Sequence, residues 1–428
     1  MGSCRCRRVA DRWLWRGAGR LSRCRSAGRF WCAAVVVACL APAATPGIAT
    51  ARDADESVAF QGSLPLPDRA PDAEGRPVAI TGLSGIAWLG DDRYAAVMDN
   101  SRFLLLFRLS LSQTGRPLAV ESLRVVRLSQ HHDYEDLAIC PDPVAIELER
   151  ERGWTTPDRR KDESFVMVCE EDTPAVRVCS LADGRMLGAL RLPANLASRR
   201  PNRGLESVAI EPDGDRGPLV WTANEEALTG DGPAAAVGSG TVVRLTAVPL
   251  VAGRQDDAAD GPDEPAVFQA AYAVDPPHAY VPVFAGQPLS GLVSLVSLGK
   301  GRLLALERSG APGLPPFASR IFVVDTAGAA DVSGIDGNLS SRPDLFLKKR
   351  LVWGDSLGIN LEGLCLGPRL ADGNRALLAI ADNGGIGTPN QIVGLAWVTP
   401  APAVSPALLG VAAVLMSIAV AAGRLTSP

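Results

Sequence analysis

Lysine is almost missing: Lys161, Lys300, Lys348 and Lys349 are the whole complement of 428 residues. A densely charged polyanion is held by many cationic side chains, so this chain is poorly equipped for one. Histidine is scarcer still, at His131, His132 and His278. A Ser-His-Asp triad could draw only on His131 or His132 with Asp133, and the run reads more simply as a polar loop. His278 follows Pro276-Pro277 and reads as a loop residue. The nearest approach to a Gly-x-Ser-x-Gly nucleophile turn is Thr81-Gly82-Leu83-Ser84-Gly85, which lacks the second glycine at the required place. No C-x-x-C pair occurs, which removes zinc ribbons and dithiol redox sites. Long helical periodicity is absent between residues 52 and 400, so an all-α or α/β body is excluded.

What is present is an apolar, turn-rich chain. Hydrophobic residues make up 47% and charged residues 21%, a folding composition. The 43 Gly and 33 Pro scatter as turn punctuation. The net charge of -4 hides an asymmetry. Residues 1–51 carry nine Arg against one Asp, leaving 34 basic and 46 acidic residues for the rest. An acidic body argues against nucleic acid and suits cations.

Three regions follow. Residues 1–51 read as an export signal: an Arg-rich stretch to Arg29, an apolar core from Phe30 to Leu40, then small residues such as Ala49-Thr50-Ala51. Residues 52–400 form the body. Residues 401–428 read as a transmembrane or sorting tail helix, because Ala407 to Gly423 is uncharged and Arg424 follows directly. The expected setting is the periplasmic or extracellular face, with membrane attachment through the tail. Cys4, Cys6, Cys24, Cys32 and Cys39 fall in the signal region, leaving Cys140, Cys169, Cys179 and Cys365. Cys169 and Cys179 lie on neighbouring predicted strands, where a short disulfide and two buried thiols both fit.

The body repeats itself. Each copy is an apolar strand opened by a polar residue, an Asp/Gly turn, and a second apolar strand ending in charge. The first copy is Leu83–Trp88 with Tyr94–Met98 and Asp99-Asn100. The second is Tyr134–Ile139 with Phe165–Cys169 and Glu170-Glu171-Asp172, around an insertion at 141–163. The third is Leu205–Ile210 with Leu219–Ala223 and Asn224-Glu225-Glu226. The fourth is Leu292–Ser297 with Leu303–Leu306 and Glu307-Arg308, and the fifth Leu361–Leu366 with Leu377–Ala381 and Asp382-Asn383. Third strands follow at Phe103–Leu109, Ala175–Leu181, Thr241–Leu245 and Arg320–Val324. The expectation is an all-β propeller of four-stranded blades. The length predicts six or seven blades, with Pro265–Val274 belonging to an extra one and Ser57–Leu64 closing the ring against Ile392–Val398. Residues 251–264 read as a surface loop.

Repetition about an axis brings equivalent positions together. Glu135, Glu206 and Glu362 are expected to converge, as are Asp99, Glu170, Glu225 and Asp382. Crowded carboxylates need cations, arginine partners or raised pKa values.

At these residues the sequence resembles the phytase-like family, described by an esterase-like activity of phytase. The carrying motifs are Leu83-Ser84-Gly85-Ile86-Ala87 with Met98-Asp99-Asn100, Asn202-Arg203-Gly204-Leu205-Glu206, and Asn360-Leu361-Glu362-Gly363-Leu364 with Ala381-Asp382-Asn383. The resemblance spans roughly residues 60–398 and implies a β-propeller and an exported hydrolase of esters, phosphate esters among them. The expected chemistry is metal-assisted hydrolysis with Ca²⁺, which suits carboxylate oxygens. Glu135, Glu206 and Glu362 are the expected catalytic carboxylates, and Asp99, Glu170, Glu225 and Asp382 the expected metal ligands. Arg203 and Arg308 are expected to hold the substrate. A small-molecule ester is the expected partner, and the lysine count argues against a heavily phosphorylated one. The alternative is a non-enzymatic binding platform at the cell surface, with the acidic rim holding structural Ca²⁺ or a protein partner.

Overall fold

Strands one to three of each repeat carry apolar residues at adjacent as well as alternate positions. That pattern demands burial on both faces, and face-to-face blades supply it. The computed structural model describes residues 55–140, 164–212, 218–250, 267–355, 358–382 and 389–400. The expected export signal (1–51), tail (401–428), insertion 141–163 and loop 251–264 lie outside the described residues. No helix among the described residues is long and apolar enough to cross a membrane.

Strand β1 (Ser57–Pro65) finds its partner only at the far end of the body, and a small hairpin, β2 (Arg69–Pro71) and β3 (Pro77–Ala79), follows it. Blade one is β4 (Leu83–Trp88), β5 (Arg93–Met98), β6 (Phe103–Leu111) and β7 (Pro117–Arg127). Blade two is β8 (Tyr134–Ile139), β9 (Phe165–Glu170), β10 (Ala175–Ser180) and β11 (Met186–Ala189). Blade three is β12 (Leu205–Glu211), β13 (Leu219–Asn224), β14 (Thr241–Pro249) and β15 (Phe268–Val274). Next comes β16 (Val281–Pro282), then β17 (Leu289–Gly299) and β18 (Arg302–Gly310) of blade four. A short β19 (Gly313–Leu314) pairs with β16 before β20 (Phe317–Asp325) and β21 (Lys349–Asp355) complete that blade. Blade five is β22 (Asn360–Arg369), β23 (Arg375–Asp382) and β24 (Gln391–Val398), with β1 as its outer strand.

Among the described residues the ring has five blades, not six or seven. The inner strands β4, β8, β12, β17 and β22 neighbour one another in a closed circle. One apolar cluster fills each gap between blades: Val97 and Leu104 against Tyr134 and Val168, Met167 and Val178 against Leu205 and Val220, Trp221 and Leu245 against Leu303 and Val324, Leu304 and Ile321 against Leu364 and Leu377, and Leu378 and Ile392 against Ile86 and Met98. Strand period two sends Leu303 into one gap and Leu304 into the next. The run to Val274 is the outer strand of blade three, with Phe268 opposite Ala247 and Val274 opposite Thr241. The ring closes as expected, with Ser57 opposite Val398 and Leu64 opposite Ile392.

The four cysteines in the body are buried and free. Cys169 packs between blades two and three and Cys179 between blades one and two. Those are opposite faces of one sheet, so no disulfide can join them.

Candidate functional site

The inner strand of every blade carries a β-bulge at the same step. Pairing with the second strand shifts between Leu83 and Gly85, Tyr134 and Leu137, Leu205 and Ser207, Leu292 and Ser294, and Leu361 and Gly363. A bulge takes a side chain out of the ladder and re-aims it. The residues so released are Ser84, Glu135, Glu206, Val293 and Glu362, with Asp136 beside Glu135. A second rank lies one residue beyond the ladder pairs that flank the bulge on this side, Leu83–Met98, Tyr134–Glu170, Leu205–Asn224, Leu292–Glu307 and Leu361–Ala381. It consists of Asp99, Glu171, Glu225, Arg308 and Asp382, all charged.

The two ranks meet at one end of the ring axis. Carboxylate oxygens of Glu171, Glu206 and Glu225 lie within 4.8 Å of one another, as do those of Asp133, Glu135 and Glu171. Arg308 bridges blades three and five: Nη2 stands 2.6 Å from Glu225 Oε1, and Nη1 donates to Glu362 Oε1. Arg203 stands 3.0 Å from the other Glu225 oxygen and 3.5 Å from Glu226. Asp382 accepts a hydrogen bond from the Gly82 amide at 3.2 Å, and its charge and that of Asp99 reach Glu362. The packing tolerates no side chain at Gly291, where a Cβ would come within 2.3 Å of Glu225 Cγ.

A floor lies next to this mouth. Asp136 takes hydrogen bonds from the amides of Leu137 (2.9 Å) and Val208 (3.2 Å) and from Ser294 Oγ (3.1 Å). Ser294 Oγ in turn accepts from the Leu364 amide at 3.1 Å. Inner strands of blades two to five are thereby tied across the axis.

Environment pushes neighbouring carboxyls apart. Burial raises Glu206 well above the ordinary range, and the charges of Glu225 and Glu171 add to it against Arg308. Burial pushes Glu362 up to about 8, with Arg308 opposing and Asp382 and Glu225 reinforcing. Burial also acts on Glu225, but Arg203 and Arg308 outweigh it and hold that carboxyl below its usual value. Carboxylates outnumber guanidiniums here, and an oxygen-only donor set of this kind suits a hard divalent cation. The acidic clusters can therefore hold a metal.

Of the residues singled out in the sequence, Glu135, Glu206, Glu362, Asp99, Glu225, Asp382, Arg203 and Arg308 come to this mouth. Glu170 does not. Its ladder partner is Tyr134, and its side chain meets Arg177 and His132 on the other side of the strand. Glu171 occupies the corresponding place at the mouth, accompanied by Asp133. Sequence reasoning did not select Glu171, because a run of three acidic residues carries no phase of its own, and it read Asp133 as part of a polar loop. Arg308, set apart as a substrate ligand, is 7% exposed with both Nη atoms engaged, whereas Arg203 keeps a side-chain exposure of 21%.

A family model described as phytase-like, esterase-like activity of phytase, matches residues 78–385. No curated protein matches the chain. Among solved structures, a chain from the humanized mutant of the Chaetomium thermophilum Polycomb Repressive Complex 2 bound to the inhibitor GSK126 is 10% identical, with a TM-score of 0.31. It is covered over 66% of its length, just under two thirds, by 76% of this chain. A protein from Lactobacillus plantarum is 13% identical with a TM-score of 0.27, over 76% of this chain and 91% of that one. Scores at that level carry no argument about this chain.

Proposed function

Because the chain belongs to the phytase-like family, we propose that it is an ester hydrolase working at the acidic axial mouth, with Ca²⁺ as its cation and phosphate esters among its substrates. The observation that carries this reading is the meeting of bulge-released Glu135, Glu206 and Glu362 with Glu171, Glu225 and Arg308, drawn from four blades. Asp133, Glu135 and Glu171 would hold the cation, flanked by Asp99 and Asp382. Bound there, Ca²⁺ supplies polarisation of the ester oxygen and acidification of water.

The chain's own groups divide the remaining work. Glu225, pinned by two arginines, stays ionised and fixes the positions of Arg203 and Arg308. Glu206, whose carboxyl burial pushes well above the ordinary range, donates a proton to the departing ester oxygen. Glu362 is a second reservoir of protons near neutrality. Arg203, the more exposed guanidinium, orients the substrate's anionic group, while Arg308 acts as a positioning residue. The Arg-rich stretch before Phe30–Leu40 and the uncharged run Ala407–Gly423 support an exported enzyme tethered to a membrane, facing the periplasm or the exterior.

One observation favours a binding platform instead: Arg308 is already neutralised by Glu225 and Glu362. A panel of p-nitrophenyl phosphate, bis(p-nitrophenyl) phosphate and p-nitrophenyl acetate separates the two. Turnover of at least one ester in Ca²⁺, lost in EGTA, is expected of the hydrolase. Ca²⁺-loaded, folded protein that turns over none would favour the platform.

A further inference from the structure

Blade two carries a second set of ligand-type side chains that the axial mouth does not use. The strand period separates them. Asp133, Glu135 and Glu171 join the axial cluster, while His132, Glu170 and Asp172, of opposite parity, gather on the other side. His132 Nδ1 stands 3.6 Å from Glu170 Oε2 and 3.6 Å from Asp172 Oδ1. The three ligand atoms lie within 4.8 Å of one another.

Two features set this cluster apart from an ordinary surface ion pair. First, 3.6 Å is too long for a hydrogen bond, yet it matches the spacing of about 3.4 Å between donors on a tetrahedral ion bound at about 2.1 Å. Second, Glu170 is 0% exposed and its Oε2 has no hydrogen-bond partner among the described residues. A buried carboxylate oxygen without a donor is costly. The other oxygen is fixed by Arg177 Nε, so Oε2 stays aimed at His132. Asp172 is steadied by the Thr173 amide at 2.9 Å. The His132 and Asp172 side chains keep exposures of 23% and 50%, which leaves a path from solvent.

We infer that His132 Nδ1, Glu170 Oε2 and Asp172 Oδ1 form a site for a transition-metal cation of the Zn²⁺ class, with a fourth position open to water. An imidazole among the donors favours Zn²⁺ over Ca²⁺, which takes oxygen ligands. The site is separate from the all-carboxylate mouth and holds its ion when Ca²⁺ is in excess. Arg177 offsets one of the two carboxylate charges and also locks the Glu170 rotamer, the orienting role of an outer-shell partner.

The test is Zn²⁺ calorimetry on the chelator-stripped full chain in saturating Ca²⁺, paired with visible absorption of the Co²⁺-substituted protein. One site sensitive to His132 is expected. His132→Ala, at a half-buried loop position, should weaken Zn²⁺ binding by more than about 10-fold and abolish the Co²⁺ bands. Glu170→Gln should do the same, with folding checked by circular dichroism, and Glu206→Gln should leave both signals intact. Unchanged Zn²⁺ affinity in His132→Ala would overturn the assignment. So would a Zn²⁺ signal lost in Glu206→Gln or displaced by Ca²⁺.

Discussion

Arg308 decides the electrostatics of the mouth, because it joins the carboxylates of blades three and five. Its guanidinium is buried and engages Glu225, Glu362 and Asn360. Removing one partner of such a group leaves the others charged and unpaired. Arg308→Met is therefore expected to lower stability by about 3–5 kcal/mol in urea unfolding. A smaller loss on Arg203→Met is expected, since Arg203 is more exposed. Glu362 sets a pH dependence. Its folded-state carboxyl is raised to about 8, above the ordinary carboxylate range it has when unfolded. The folded state therefore binds the proton more tightly. The associated stability is complete at acid pH below the unfolded value and is lost as pH rises towards and through about 8. Thermal unfolding between pH 5 and 9 should show that decline, and Glu362→Gln should flatten it. Most of these residues were legible in the sequence, because Glu135, Glu206 and Glu362 sit at one step of a visible repeat. Glu171 was not. The shift in blade two passes over both Glu135 and Asp136, and only the ladder pair Tyr134–Glu170 fixes the phase.

At the scale of the element, the bulge is the device that turns a strand end into a site. It needs very small residues beside it, because inner strands of neighbouring blades nearly touch. A Cβ on Gly85 would fall 2.6 Å from Asp136 Cα, and one on Gly363 would fall 2.7 Å from Gly85 Cα. Both contacts are with backbone, which cannot swing away. Gly85→Ala and Gly363→Ala should each cost about 1–3 kcal/mol, measured by denaturant midpoint. Strands one to three of each blade were readable because they are buried on both faces. Outer strands were harder. β7 is half-exposed along much of its length, so its apolar pattern is broken. β15 is apolar apart from Gln269 but is separated from β14 by residues 250–267, and the sequence alone assigned it to another blade.

For the whole molecule, closure depends on one strand from the beginning of the body. β1 completes blade five, and Val58 packs into the cluster between blades four and five. Deleting residues up to 65 would bare the edge of β24. The expected result is a broad, less cooperative unfolding transition with a smaller denaturant slope. Ring closure was legible from the matching strands at the two ends of the repeat array. Blade number was not, because a count from length assumes even spacing, whereas 25 residues separate Ile139 from Phe165 within a single blade.

In the proposed reaction the mouth hydrolyses esters with Glu206 as its proton donor. Comparison of wild type and Glu206→Gln for Ca²⁺-dependent ester turnover, with folding verified by circular dichroism, tests it most directly. A folded variant whose rate falls by about 100-fold or more is the predicted result, in line with loss of a general acid. A folded variant that keeps the wild-type rate would contradict it.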